Sequence, residues 1–308
     1  MKKIFTLLVL TISFSMNAQV STNGTNPSGS DASAIGLSTT ASGVRSTAMG
    51  VGTTASGAAS TAMGQGTTAI GNYSTAMTYD TTASGNYSTA MGNRTTASGL
   101  GSTAMGYRTT ASEDYSTAMG HRTTASGVRS TAMGNYTIAS DFGSLVIGQY
   151  NSSGSSVTNN ATSFNTANTA FVIGNGTDSS NKSDAFKVMF NGDATIGNDL
   201  TVSGDVVVSS DARLKSNIIS LGSTLSRLLL IDGKSYEMKG KQKIGVLAQE
   251  IKEVFPELVT EDSNEMLAVN YQGLVPVLIN ALKEQDAEMK EQEKRLERLE
   301  AIISKMDK

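Results

Sequence analysis

The chain contains no cysteine. That one absence excludes disulfides, thiolate zinc sites and thiol nucleophiles together. A single histidine, His121, is too little for a histidine-rich metal site, and no metal or cofactor is expected. Charge of one sign is lacking as well. Lys and Arg number 24, Asp and Glu 27, for a net charge of -3, which gives no electrostatic case for nucleic acid or an anionic membrane surface. Beyond the N-terminal segment no apolar run is long enough to cross a bilayer, so no membrane insertion is expected.

What is present falls into blocks, and 308 residues leave room for two or three domains. The first block, MKKIFTLLVLTISFSMNAQ, reads as a secretory signal. Lys2 and Lys3 form its positive start, Ile4 to Phe14 its apolar core, and Asn17-Ala18 a small-residue exit. We expect a signal peptide at 1–18, cut after Ala18, and a linker at 19–33. With no cysteine after it, a lipid anchor is not expected. The protein is then exported, to the extracellular space or the cell surface of a bacterium.

From residue 34 to 149 the chain repeats itself every fourteen residues, as in TTASGNYSTAMGNR and TTASGLGSTAMGYR. One position is an apolar ladder: Ile35, Met49, Met63, Met77, Met91, Met105, Met119, Met133 and Ile147. STAM and TTAS alternate with the period of a strand, and the glycines suit turns that need positive φ. One large apolar residue per fourteen is too little burial to fix a coil by itself. Neighbouring chains must add buried surface, with the Met ladder at an apolar core position. These residues resemble the head repeats of trimeric autotransporter adhesins, with STAMG and TTASG in the places of that family's two strands. The resemblance implies a left-handed parallel β-roll assembled as a trimer. Met in place of Ile or Val, Thr78 in place of Gly, and Glu113 at a turn glycine depart from the pattern. The anchoring barrel that ends those adhesins is not found here, so their mode of attachment is not carried over.

Residues 150–209 read as a low-charge, β-rich neck. Its strand candidates are the island Ala170 to Ile173, then Phe186 to Phe190, Ala194 to Ile196, Leu200 to Val202 and Val206 to Val208, broken by turn signals such as Asn191-Gly192-Asp193. Composition then changes sharply. Residues 19–209 carry ten acidic and seven basic side chains, and residues 210–308 seventeen and fifteen. The final block, 278–308, has a heptad pattern: Leu282, Met289, Leu296 and Ile303 at a, and Leu278, Gln285, Gln292, Leu299 and Met306 at d. A coiled coil is expected, with Pro276 in the first turn of its helix.

Between neck and coil, four motifs occur in order: SDARLKSNI (Ser210 to Ile218), GVLAQEI (Gly245 to Ile251), FPELV (Phe255 to Val259) and VNYQGLVPVLINAL (Val269 to Leu282). They resemble the intramolecular chaperone domain of endosialidases and other phage tail proteins. That resemblance implies a domain, here 210–277 plus the coil, that trimerises a β-fibre during folding and, in many members, cuts itself off at the motif's serine. The fold class expected is therefore mainly β: a trimeric parallel β-roll and β neck, then a small α+β chaperone domain ending in a trimeric coiled coil.

The chemistry of such a cut is readable from the residues. Without a usable His or Cys, a serine nucleophile needs another base, and a lysine serves where its surroundings hold it neutral. Ser210 and Lys215 are five apart and meet if the chain between them turns. The Ser210 hydroxyl is then placed to attack the carbonyl of the Ser209-Ser210 bond. Asp211 is the alternative activator, and Arg213 is expected to hold the loop or a neighbouring chain. The enzyme expectation is thus at most an autoproteolytic serine peptidase with no external substrate. Its alternative is an uncleaved trimeric binding protein that keeps the domain as a cap.

Other features carry less. His121 occupies a repeat position held elsewhere by Asn93, Tyr107 and Asn135, so it reads as a surface substitution. Gly174-Asn175-Gly176 lacks the strand-to-helix context of a phosphate loop. No paired carboxylates suggest sugar cleavage. Thr53, Thr67, Thr81, Thr95 and Thr109 form a ladder resembling the flat threonine arrays of ice-binding solenoids, a minor alternative. The partners expected are two further copies of the chain and a surface receptor or glycan of unspecified identity. The motif would also suit a phage fibre, but the signal segment favours an exported cellular protein.

Overall fold

The computed structural model describes residues 24–152, 160–262 and 265–306. The expected signal peptide lies outside the described residues. Contacts divide the chain into two units, which meet between Asp205 and Val206.

The first unit is a β-solenoid of fourteen-residue coils. Each coil gives one five-residue and one two-residue strand, and like strands stack in parallel on the next coil. The register is the repeat itself: Thr89 pairs with Thr103, Met91 with Met105, Gly92 with Gly106. Nine two-residue strands run from Asn26–Pro27 to Ile138–Ala139, and nine five-residue strands from Ser33–Leu37 to Leu145–Gln149. Glycine is required where coils stack most closely. At Gly106, with φ 123°, a Cβ would sit 2.0 Å from the carbonyl oxygen of Gly120. Thr78 takes the same place with φ 96°, a conformation that costs a side-chain-bearing residue energy. The coil stays regular at Glu113, whose carbonyl accepts from Ser116 N–H just as that of Gly99 accepts from Ser102.

The interior differs from the expected one. Its apolar column is alanine: Ala48, Ala55, Ala62 and their equivalents are fully buried through Ala139. Hydroxyl residues such as Ser46, Thr53, Ser60 and Thr67 complete it, also at 0 % exposure. The Met ladder lies on the outward side of the five-residue strands, half-buried at Met63 to Met133 and 41 % exposed at Met49. In STAM, strand alternation sends Ser and Ala inward and Thr and Met outward, and the coil is too narrow for a larger inward side chain. The same alternation removes the threonine array. Thr53, Thr67, Thr81, Thr95 and Thr109 are fully buried, so they present no flat face to ice or anything else.

The island near residue 170 continues the solenoid. Strand Thr169–Asn175 stacks in parallel on Leu145–Gln149, with Ile147 opposite Ile173, and Val146 and Val172 extend the buried alanine column. Asp184–Met189 and Ala194–Ile196 then add antiparallel strands. The two further strands expected at Leu200 to Val202 and Val206 to Val208 are absent. Among the described residues the segment has no partner strand, and Val207 is 88 % exposed.

The second unit is a small α+β domain. Its helices are α1 (Leu225–Leu228), α2 (Ala248–Val254) and α3 (Leu274–Met306), with hairpins Lys234–Met238/Lys241–Gly245 and Val259–Glu261/Leu267–Val269. Ile251, Phe255, Leu258 and Val277 are its core, so GVLAQEI, FPELV and VNYQGLVPVLINAL all supply the packing. α3 runs 33 residues, and its heptad residues are solvent-facing, Leu282 at 63 % and Leu296 at 58 %. Among the described residues no helix is long and apolar enough to cross a membrane.

Candidate functional site

Of the four motifs, SDARLKSNI is the one whose residues enter no core. Every residue from 209 to 223 is exposed. The segment nevertheless has a defined turn. Ala212–Leu214 forms one 3-10 turn, with Leu214 N–H donating to the Asp211 carbonyl and Lys215 N–H to that of Ala212. This turn closes the five-residue gap: Lys215 Nζ donates to Ser210 Oγ at 2.7 Å. The serine and lysine singled out in the sequence therefore meet, beside the Ser209-Ser210 bond.

Asp211 is engaged elsewhere. Its Oδ1 accepts from the backbone N–H and the Nε of Arg213, at 2.8 and 3.0 Å, and its Oδ2 accepts from a terminal guanidinium nitrogen at 2.7 Å. The Arg213 side chain first, and its backbone N–H second, hold the Asp211 carboxyl below its ordinary value of 3.8. The carboxylate thus caps and braces the turn, with its hydrogen bonds on Arg213 and not on Ser210. Ser209, the acyl side of the bond, is exposed.

A second carboxylate, Glu284 on α3, was not singled out in the sequence. It accepts from Ser223 Oγ and from the N–H groups of Thr224 and Leu225, the free donors at the start of α1. Those bonds, Ser223 first, hold its carboxyl below the ordinary range. Glu284 thereby ties the end of the exposed segment to the long helix. A glutamate sixty residues from the donors it caps leaves no local signal.

The remaining candidates stand apart. His121 lies on the solenoid surface, where Nδ1 and Asn135 Oδ1 are 2.8 Å apart. Gly174 and Asn175 are the last residues of strand Thr169–Asn175, and the chain continues into a turn built on Asp178. Among the described residues no group of three or more His, Asp or Glu is placed to hold a metal ion.

Comparison with known families agrees with this division. Residues 210–260 match the family described as the chaperone of endosialidase. Successive spans, 28–53, 55–77, 79–95, 83–109, 97–123, 111–137 and 125–151, match the YadA head domain repeat. No curated protein matches the chain.

Proposed function

From a chain built of YadA head domain repeats and a chaperone-of-endosialidase domain, we propose an exported homotrimeric fibre of the adhesin type. Its C-terminal domain gathers three chains and then cuts itself off between Ser209 and Ser210.

Two unpartnered apolar ladders support the trimer. The coils bury only alanine and small hydroxyl side chains, leaving the Met column outside. The a and d residues of α3 are likewise uncovered. A repeat array with so little burial per coil needs apolar surface from its neighbours.

The observation that carries self-cleavage is the 2.7 Å contact of Lys215 Nζ with Ser210 Oγ, in a segment that packing does not explain. In the reaction, Ser210 Oγ attacks the Ser209 carbonyl carbon and passes its proton to Lys215. The C–N bond breaks as the Ser210 nitrogen takes that proton, leaving an ester between Ser209 and the Ser210 oxygen. Water then hydrolyses the ester. The step requires a neutral amine, and burial disfavours the charged form of an amine. In this single chain Lys215 is exposed, so covering by neighbouring chains is the step that arms the site, and cutting follows assembly.

A second reading keeps the domain as an uncut cap on a trimeric binding protein. Its support is that Lys215 here donates to the serine from a solvent-exposed position. Wild type and Ser210→Ala, compared on a denaturing gel after trimer purification, separate the two. Cleavage predicts a shortened wild type and a full-length variant, whereas the cap predicts two full-length bands.

A further inference from the structure

The second turn of each coil carries a column of residues locked at the coil spacing. Arg94, Arg108, Arg122, Tyr136 and Tyr150 each donate a backbone N–H to the preceding coil at 2.8–3.0 Å. All five have positive φ, between 41° and 56°, although glycine stands at the equivalent positions Gly52 and Gly66. Side chains at positive φ recur in both turns of the coil, Ser38, Asp80 and Ala59 among them, so what sets this column apart is the chemistry of its side chains.

Those side chains form one continuous surface with their neighbours. Tyr107 stacks on His121 with centroids 5.2 Å apart, His121 meets Tyr136 edge-on at 5.3 Å, and Tyr136 stacks on Tyr150 at 4.6 Å. The Arg108 guanidinium lies 5.5 Å over Tyr107, and that of Arg122 lies 5.1 Å over Tyr136. Arg94 is neutralised by Asp80 at 3.4 Å. Among the described residues Arg108 and Arg122 have no such carboxylate, and Arg122 Nε is buried with no hydrogen-bond partner. Two guanidiniums are thus held by aromatic faces one coil apart, about 4.8 Å along the solenoid, with donors to spare.

We propose that this stripe binds a linear acidic polysaccharide, one bearing carboxylate or sulfate groups along its length. The coil spacing is close to the advance of one sugar ring along an extended glycan, so successive acidic groups reach successive arginines. Arginine's planar fork suits both oxyanions. Single-stranded nucleic acid fits less well, because the rings cover one another's faces and leave no gap for a stacking base. The proposal names a partner for the adhesin-type fibre proposed above and rests on that reading only for its biological setting.

The test titrates the purified full-length protein with polygalacturonate and with dextran sulfate, alongside neutral dextran and a single-stranded oligonucleotide, over a series of salt concentrations. Wild type is expected to bind at least one of the two polyanions, with affinity falling linearly in log salt, and not the neutral polymer. Arg108→Gln combined with Arg122→Gln should weaken binding by roughly tenfold or more while melting and oligomeric mass stay unchanged. Lysine at both positions should restore part of the loss. Equal binding by wild type and the double glutamine variant overturns the proposal. So do equal binding to neutral dextran, preference for the oligonucleotide, and failure to bind either polyanion. Oligomeric mass and chain cleavage, read on the same samples, report the fibre and chaperone reading separately.

Discussion

At the loop that opens the second unit, each side chain has a distinct task. Ser210→Ala removes the hydroxyl and should leave a full-length chain that still trimerises, checked by denaturing gel and by native mass. Lys215→Ala should stop or greatly slow the cut, because among the described residues it is the side chain hydrogen-bonded to the serine. Asp211→Asn weakens the brace on Arg213 and should slow cutting without preventing assembly. The Asp211 carboxyl is depressed below 3.8 in the folded chain. Its contribution to the turn is therefore complete above that value and is lost only as pH falls through the lower folded value. Any change in cutting rate across mildly acidic to neutral pH, followed by gel densitometry, must arise elsewhere and should persist in Asp211→Asn. The pairing of Ser210 with Lys215 was legible from their spacing and the family motif. The engagement of Asp211 with Arg213 was not, since Asp211 is adjacent to Ser210 in sequence and only the 3-10 turn brings its carboxylate onto Arg213.

Within the coils the period, the register and the strand pairs were all readable from the fourteen-residue repeat. The interior was misread because size was taken as the guide to burial. Ala and Met are adjacent in STAM and must face opposite ways, and it is the coil's width that sends Ala inward. Ala104, at 0 % exposure, should therefore be intolerant of enlargement. Ala104→Leu is expected to destabilise the solenoid by about 1–3 kcal/mol, seen as a lower melting temperature. Thr78→Gly should do the opposite and gain about 1 kcal/mol, because it relieves the strained φ of 96°. The outward Met column has a different test. Met91→Asp leaves the coil interior untouched and should lower the trimer fraction in sedimentation. An unaltered trimer would mean that the column faces solvent in the assembly. The missing strands at Leu200 to Val202 and Val206 to Val208 have a related origin. Their alternation is strand-like, but a strand needs a partner, and this chain alone offers none.

On the scale of the molecule, the proposed function separates folding from binding along the chain. A thin solenoid of parallel coils is slow to nucleate when three chains must first find one another. In the proposed function, a terminal coil that gathers them would reduce that entropic cost. In the function proposed above, the helper is dispensable once the coils are stacked, and its removal would leave a fibre that unfolds slowly and refolds poorly, a kinetic trap. Breaking the seam with Leu296→Pro should thus remove trimer and cleavage together, whereas Ser210→Ala removes cleavage alone. The order of these blocks was legible because each has its own composition and motifs. Which surfaces the proposed trimer would share was not, because the Met column and the heptad residues of α3 are ones that a single chain leaves in water. The most direct test of the whole account is the mass of the exported wild-type protein, taken under native and then denaturing conditions. The account predicts a native trimer whose chains separate into fragments 19–209 and 210–308. A monomer, or a correctly assembled trimer of intact chains, would contradict it.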